Sequence, residues 1–303
     1  MTTLHAIKTS PSITVASNLN NPFAPFDAAL LAAFDANVNQ AIAEDVGDGD
    51  FTGMLVPEHE FVTARVIVRE AAVLCGAPWF EAVMTRLDPR LQVGWRHAEG
   101  DLMAADSEVC IIEGPARALL TAERGALNFL QLLSGVASAT RRYVDVVAGT
   151  GASILDTRKT LPGLRLAQKY AVRVGGGANQ RLALYDGILI KENHIAAAGG
   201  ISAAMAAAHK LDAGVAIQVE VESIGELQEA LGAGAVSILL DNFSLEMMRE
   251  AVAVNAGRAL LEASGGISLD TVRAIAETGV ERISIGSLTK DIRAADFSLR
   301  IVR

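Results

Sequence analysis

The chain has 303 residues, a formal net charge of -9, 51% apolar residues and 20% charged ones. This describes a well-cored globular protein of one large domain or two moderate ones. The acidic balance argues against general binding to nucleic acid or anionic membranes, although a local pocket for a small anion stays open.

Residues 1–22 are rich in Ser, Thr and Asn with weak periodicity, and read as a flexible leader without the charged start and apolar block of a signal peptide. Phe26 to Glu44 carries apolar residues at helical spacing, and the acidic run Asp45 to Asp50 breaks it. Phe61–Arg69, Ala72–Gly76, Leu91–Arg96 and Glu108–Gly114 read as strands, with a helix over Trp79–Leu87. This first part is therefore expected to be helices packed on a mostly antiparallel sheet. Cys75 and Cys110 lie far apart without metal-ligand spacing, so buried reduced thiols are expected. No apolar run is long enough for a bilayer, and cytoplasmic residence follows by default.

A long helix is expected from about Leu119 to Val147, because Leu127, Leu130, Leu133 and Val136 recur at three- and four-residue steps. After Gly149 strand-like runs alternate with helical ones: Ser153–Leu155, Gly187–Ile190, Ala216–Val221, Val236–Leu240, Ala259–Leu261 and Arg282–Ile285. Six parallel strands suggest a β/α barrel or an open doubly wound sheet. Asp156, Lys191, Glu220, Asp241, Ser264 and Gly286 each fall at or just past the C-terminal end of a strand, where barrel enzymes keep their sites, and this favours the barrel.

Three clusters carry chemistry. Between Arg158 and Lys191 seven basic residues (Arg158, Lys159, Arg165, Lys169, Arg173, Arg181, Lys191) stand against one acid, Asp186, inside an acidic chain. Arginine forks suit carboxylates and several cations together imply a ligand with more than one negative group, whereas Arg173 fits a solvated helix face. Glu220 and Glu222 share a face of one strand and Asp241 ends the next, an arrangement open to magnesium, to sugar hydroxyls or to simple ion pairing. Ser264-Gly265-Gly266, before a helix expected near Leu269, and Ile285-Gly286-Ser287 offer backbone N–H groups to a phosphate or form ordinary tight turns. Gly175-Gly176-Gly177 allows a close backbone approach or a helix stop.

The ordered series D-T-R-K-T-L-P-G-L-R, K-Y-A-V with G-G-G-A-N, L-I-K-E-N-H, V-E-V-E, L-L-D-N-F and E-A-S-G-G-I resembles the quinolinate phosphoribosyltransferases from about Glu44 onward. The resemblance implies an α/β fold: an N-terminal α/β sandwich over residues 23–126, completed by residues 289–303, and an incomplete six- to seven-stranded α/β barrel over 127–288. It implies transfer of phosphoribose from phosphoribosyl pyrophosphate to quinolinate with Mg2+, giving nicotinate mononucleotide, pyrophosphate and carbon dioxide. By matched position, Arg158 and Arg181 would hold the quinolinate carboxylates, with Lys159, Lys191 and Lys169 adding positive charge. Glu220 and Asp241 would serve the ribose and its magnesium, and with Lys191 form the catalytic set. Ser264, Gly265, Gly266 and Gly286 would cradle the 5′-phosphate. A homodimer is implied, with Arg124 donated across the interface.

One position departs from the family's usual G-A-N-H-R: Gln180 stands where the histidine is expected. Glutamine hydrogen-bonds a substrate but cannot carry a proton, so an acid role there is put in doubt. His194, in K-E-N-H, reads as a structural residue. The rivals are a related phosphoribosyltransferase paralogue with another substrate, including a nicotinate-specific one, and a non-catalytic phosphate-ligand sensor.

Overall fold

The computed structural model describes residues 19–302. Of the segment read as a flexible leader, residues 1–18 lie outside that range. Its end is docked: the Asn20 carbonyl accepts from Glu99 N at 3.0 Å, and Asn21 Nδ2 donates to the Tyr170 hydroxyl at 3.2 Å.

Helix Ala28–Val46 begins at Asp27, whose carboxylate caps Leu30 N at 2.8 Å. There follow β1 (Phe61–Val68), β2 (Ala72–Val73), helix Ala77–Leu87, β3 (Gln92–Trp95), β4 (Leu102–Met103) and β5 (Glu108–Pro115). The strand expected over Ala72–Gly76 is shorter because Gly76, at φ +96, turns the chain into the next helix. Helix Ala116–Val147 leads to six strands: β6 (Ser153–Leu155), β7 (Gly187–Ile190), β8 (Ala216–Val221), β9 (Ser237–Asp241), β10 (Leu260–Ser264) and β11 (Arg282–Ser284); β12 (Phe297–Val302) closes the chain.

The first sheet is antiparallel in the order β12-β1-β5-β3, so the last strand of the chain lies against the first. The second is wholly parallel, in the order β6-β11-β10-β9-β8-β7. Its first and last strands in chain order, β6 and β11, are neighbours as in a closed barrel, but β6 and β7 do not pair. This is an incomplete barrel, open at one seam.

The long helix serves both halves. Leu119, Leu127, Leu130, Leu133 and Val136 are buried in the core around Trp79, Phe80 and Met84, while Val147 joins the barrel core with Ile154, Ile238 and Ile283. The domain boundary expected at 126/127 falls inside this continuous helix. Tyr170, from helix Arg165–Val174, is also buried in the first core, with its ring 5.2 Å from those of Phe26 and Trp79. Fully burying one such side chain is worth about 1.5–3 kcal/mol, so this helix is anchored firmly to the N-terminal half.

Candidate active site

The parallel sheet delivers functional side chains to one end. Asp156 follows β6, Lys191 follows β7, Glu220 is the penultimate residue of β8, Asp241 ends β9, Ser264 ends β10, and Gly286 lies two residues beyond β11. What fills the open seam is set by the three glycines. A Cβ on Gly175 would stand 2.5 Å from the Ala137 carbonyl of the long helix, and Gly176, at φ +92, reverses the chain after helix Arg165–Val174. Both readings of the glycine run therefore hold, a close approach and a helix stop. The chain then runs beside β6, bridging Leu155 to Ala178, with Ala178 N donating to the Ile154 carbonyl at 2.8 Å.

Asp156 is the hub of this seam. Its buried carboxylate receives Lys169 Nζ, Asn179 Nδ2 at 2.6 Å and Gln180 N at 2.9 Å. Lys169 is 1% exposed, and its ammonium also donates to the Gln180 carbonyl at 2.9 Å. Burial lowers the affinity of Lys169 for its proton, and the charge of Asp156 opposes that loss. Lys169 was expected to add positive charge facing the ligand; instead it is spent beneath the surface, holding residues 179–181 in place.

Above this hub the cations gather. Arg181 Nη1 donates to the Gly187 carbonyl at 2.8 Å, and burial followed by the positive charge of Arg158 makes its proton easier to lose, so the two guanidinium groups stand close enough to repel. Arg158 Nε is buried without a hydrogen-bond partner. The Lys159 side chain runs over Gly286: a Cβ there would meet its Cδ at 3.1 Å and its Nζ at 3.9 Å. The D-T-R-K loop is pinned by Thr289 Oγ1 to the Lys159 carbonyl at 2.7 Å and by Gln168 Oε1, which accepts from Leu161 N at 2.8 Å. Arg165, counted among the basic cluster, is a staple: Nε donates to Thr160 Oγ1 at 3.1 Å and Nη1 to the Leu182 carbonyl at 3.4 Å. Arg173 is exposed, over the face of Tyr170.

Across the mouth, Lys191 Nζ lies 3.3 Å from Glu220 Oε2. Burial raises the Glu220 carboxyl above its ordinary range, Lys191 pulls it down, and the charge of Asp241 pushes it further up. Glu220 and Asp241 thus face the same space. Glu222 is exposed, its N–H donating to Glu226 Oε2 at 2.7 Å. His194 Nδ1 accepts from Lys191 N at 3.0 Å, a cap on helix Glu192–Ala198.

Ser264, Gly265 and Gly266 form an open turn, but the helix expected near Leu269 begins only at Val272 and spans five residues. Gly265 at φ +105 and Gly266 at φ +58 keep those two residues out of a helix, and over the residues that follow a side-chain turn, Ser268 N donating to Thr271 Oγ1 at 3.0 Å, takes the place of the first helical turn. Backbone N–H groups of the glycine turn, not a helix terminus, are what this segment presents. Arg124 stands exposed on the long helix, beside Leu120 and Thr121 of a surface cleft that also includes Asp50 and Phe51.

Several residues around this site were not singled out from sequence. Asn242 Nδ2 donates to Asp241 Oδ2 at 2.8 Å from a left-handed backbone at φ +57, and its side chain occupies the space a Cβ on Gly265 would need. Gln218 and Glu262 lie buried below the mouth; a lone acid in the apolar run L-L-E-A-S was the available signal.

The fold is shared with known proteins. The quinolinate phosphoribosyl transferase N-terminal domain matches residues 50–134 and the C-terminal domain of the same family matches 136–300. The chain belongs to this family. A probable nicotinate-nucleotide pyrophosphorylase [carboxylating] of Bacillus subtilis is 38% identical over 269 residues, covering 87% of this chain and 92% of that protein. The nicotinate-nucleotide pyrophosphorylase [carboxylating] of Mycobacterium leprae is 40% identical over 279 residues, covering 88% and 97%. The solved nicotinate-nucleotide pyrophosphorylase of Francisella tularensis superposes with a TM-score of 0.87 at 43% identity, covering 89% of this chain and 96% of that one. The quinolinate phosphoribosyltransferase fold thus accounts for both the antiparallel layer and the six-stranded open barrel.

Proposed function

We infer that this chain transfers phosphoribose from phosphoribosyl pyrophosphate to quinolinate and decarboxylates the adduct, giving nicotinate mononucleotide, pyrophosphate and carbon dioxide. The observation that carries the reading is the pair Arg158 and Arg181: two adjacent guanidinium groups, one with a buried Nε lacking a partner. Such a pair is repulsive until an anion with two carboxylates bridges it, and quinolinate supplies that anion.

The remaining residues fit the steps. The pyridine nitrogen forms a bond to ribose C1 as the bond from C1 to pyrophosphate breaks, and carbon dioxide leaves the ring carbon beside the now quaternary nitrogen. The electron pair of the broken bond stays on that carbon, stabilised by the adjacent quaternary nitrogen, and takes up a proton from solvent. Lys159 and Lys191 are placed to stabilise the departing pyrophosphate, while Glu220 and Asp241 face the ribose, where positive charge develops. Positioning is the main contribution, since no side chain forms a covalent bond.

Glu220 and Asp241 also fit magnesium, a hard cation that takes oxygen ligands from one or two carboxylates together with substrate phosphates. Their mutual repulsion is the feature a cation would relieve. Magnesium would supply charge neutralisation of the phosphates. The 5′-phosphate falls to the backbone around Ser264, Gly265, Gly266 and Gly286.

A homodimer belongs to the same proposal. Arg124 is exposed, and Phe51, Met54 and Leu55, on the segment facing its helix, are 81%, 61% and 82% exposed, an apolar surface suited to a second copy. Mixing Arg124→Ala and Lys191→Ala proteins should then restore activity that neither has alone, and verified heterodimers without activity would count against sharing. Residence in a reducing cytoplasm is supported by Cys75 and Cys110, both free and buried; no described helix is long and apolar enough to cross a membrane.

The direct test is incubation with quinolinate, phosphoribosyl pyrophosphate and magnesium, following carbon dioxide and nicotinate mononucleotide, with nicotinate as comparison substrate. Equal formation of both products supports the assignment. Binding of quinolinate without products favours a sensor, and turnover of nicotinate alone favours a different transferase.

A further inference from the structure

The departure at Gln180 was read as a substrate contact that replaces histidine, yet its side chain is fully engaged inside the protein. Gln180 Nε2 donates to Gln218 Oε1 at 2.6 Å and reaches both oxygens of Glu262 at 3.3 Å. Its Oε1 accepts from the N–H of Arg181 at 2.5 Å. Gln218 Nε2 in turn donates to Glu262 Oε2 at 3.0 Å. Gln218 is 7% exposed and Glu262 0%. The backbone of Gln180 is held as well, its N–H by Asp156 and its carbonyl by Lys169.

We propose that Gln180, Gln218 and Glu262 form a buried tripod that aims Arg181 at the quinolinate carboxylate, so that Gln180 and Gln218 are coupled positioning residues rather than substrate ligands. The chemistry of each leg supports this. Gln218 accepts from Gln180 and donates to Glu262 with the same side chain, which a carboxylate cannot do because it only accepts. Glu262 has two amide donors, one from β8 and one from the loop that runs beside β6 at the open seam. Arg181 is then fixed at both ends, by Gln180 Oε1 at its N–H and by the Gly187 carbonyl at its guanidinium.

The tripod also gives the departure at position 180 a physical reason. A carboxylate at 218 would confront Glu262 directly, and a cationic imidazole at 180, with two N–H donors, would be needed to satisfy both. With an amide at 218 the cluster needs no cation, and a neutral glutamine at 180 completes it. Residues 180 and 218 are therefore expected to change together: Gln with Gln, or His with Glu.

The inference rests on Arg181 binding quinolinate, and the test separates the two. Steady-state KM for quinolinate and for phosphoribosyl pyrophosphate, kcat and the melting temperature are measured for the Mg2+-loaded protein and four variants. Arg181→Ala checks the underlying reading: an unchanged quinolinate KM would sink that reading, whatever the tripod does. Gln218→Glu is expected to raise the quinolinate KM roughly ten- to hundredfold, the cost of a buried polar group left without its partner, while the phosphoribosyl pyrophosphate KM stays within about twofold. Gln180→His combined with Gln218→Glu should recover most of that loss. Gln180→Ala, which removes the brace without adding charge, keeps the test open if Gln218→Glu does not fold, and should raise the quinolinate KM selectively. The tripod is overturned if Arg181→Ala raises the quinolinate KM but Gln180→Ala does not. It is equally overturned if the double variant is no better than Gln218→Glu, or if both KM values rise together.

Discussion

Lys191 Nζ and Glu220 Oε2 face each other at 3.3 Å from the ends of neighbouring parallel strands, with Asp241 on the next strand pressing on the same carboxylate. A cation between two acids and a basic wall is a poor device for stability. The Lys191 side chain is 45% exposed, and an ion pair of that exposure is worth about 0–1 kcal/mol. Its position over the mouth is better explained by charge that arrives with a ligand.

Lys191→Ala should therefore separate activity from stability. The expected outcome is a fall in kcat of about 10²–10³, the size associated with losing one preorganised group at a developing charge. The unfolding free energy should change by no more than about 1 kcal/mol. Kinetics beside urea denaturation would check this, and a large stability loss with kcat preserved would assign Lys191 to the scaffold instead.

Lys169 predicts the opposite balance. Its ammonium is buried against Asp156, and Lys169→Met would leave that carboxylate without its charge partner. Breaking such a pair costs about 3–5 kcal/mol. The same change frees the Gln180 carbonyl, so any folded variant should bind quinolinate more weakly. Calorimetric titration at a temperature where the variant is folded would read this, and unaltered affinity would show that the seam is held by other contacts.

These two lysines mark what the sequence could and could not reveal. Ser153–Leu155, Gly187–Ile190 and Ala216–Val221 were legible to the residue, because buried parallel strands are short apolar runs closed by polar residues, and the ends of those strands pointed to Asp156, Lys191 and Glu220. Lys169 looked like Lys191 in sequence, since charge counting carries no depth: which lysine faces solvent depends on a helix seated by Tyr170 in the other core. The tripod was hidden for a related reason. Gln180, Gln218 and Glu262 lie 38 and 44 residues apart along the chain and meet only when the parallel sheet is assembled and the loop carrying Gln180 lies against it. The late helix start at Val272 goes with the side-chain turn between Ser268 and Thr271, a local alternative to the helix that those residue types permit but do not announce.

Glu99 carries a pH prediction. Its carboxylate lies under helix Ala77–Leu87, accepting from Gly76 N at 2.8 Å, Ala77 N at 3.2 Å and the Tyr170 hydroxyl at 2.9 Å. Burial outweighs these donors and pushes its pKa from 4.5 up to about 7. Between those values the folded protein keeps a proton that the unfolded chain has released. The stabilising contribution of this group is therefore complete below the unfolded value and lost as pH rises through the folded one. Glu99→Gln cannot ionise, so relative to the parent its unfolding free energy should improve by about 3 kcal/mol on going from pH ~4.5 to pH ~8. Urea titrations at several pH values would detect this, and parallel stability curves for the two proteins would contradict it.

Gly265 joins the glycine turn after β10 to Asp241 through Asn242. A Cβ there would fall 2.0 Å from Asn242 Oδ1, and the residue's φ of +105 is one that side chains rarely adopt. Gly265→Ala should cost about 1–3 kcal/mol in backbone strain and displace Asn242, so that Asp241 loses its 2.8 Å donor. The two effects can be told apart. Combining Gly265→Ala with Asn242→Gly removes the side-chain collision but leaves the 3.1 Å approach to the backbone N of residue 242, the strain and the missing donor, so stability should recover only in part. Activity should not recover, because Asp241 is still unheld. In both variants the KM for phosphoribosyl pyrophosphate should rise more than that for quinolinate, since the proposed function gives the turn and Asp241 to the ribose phosphate and the arginines to quinolinate. Equal rises in the two constants would mean that the turn supports the whole mouth of the barrel rather than one substrate.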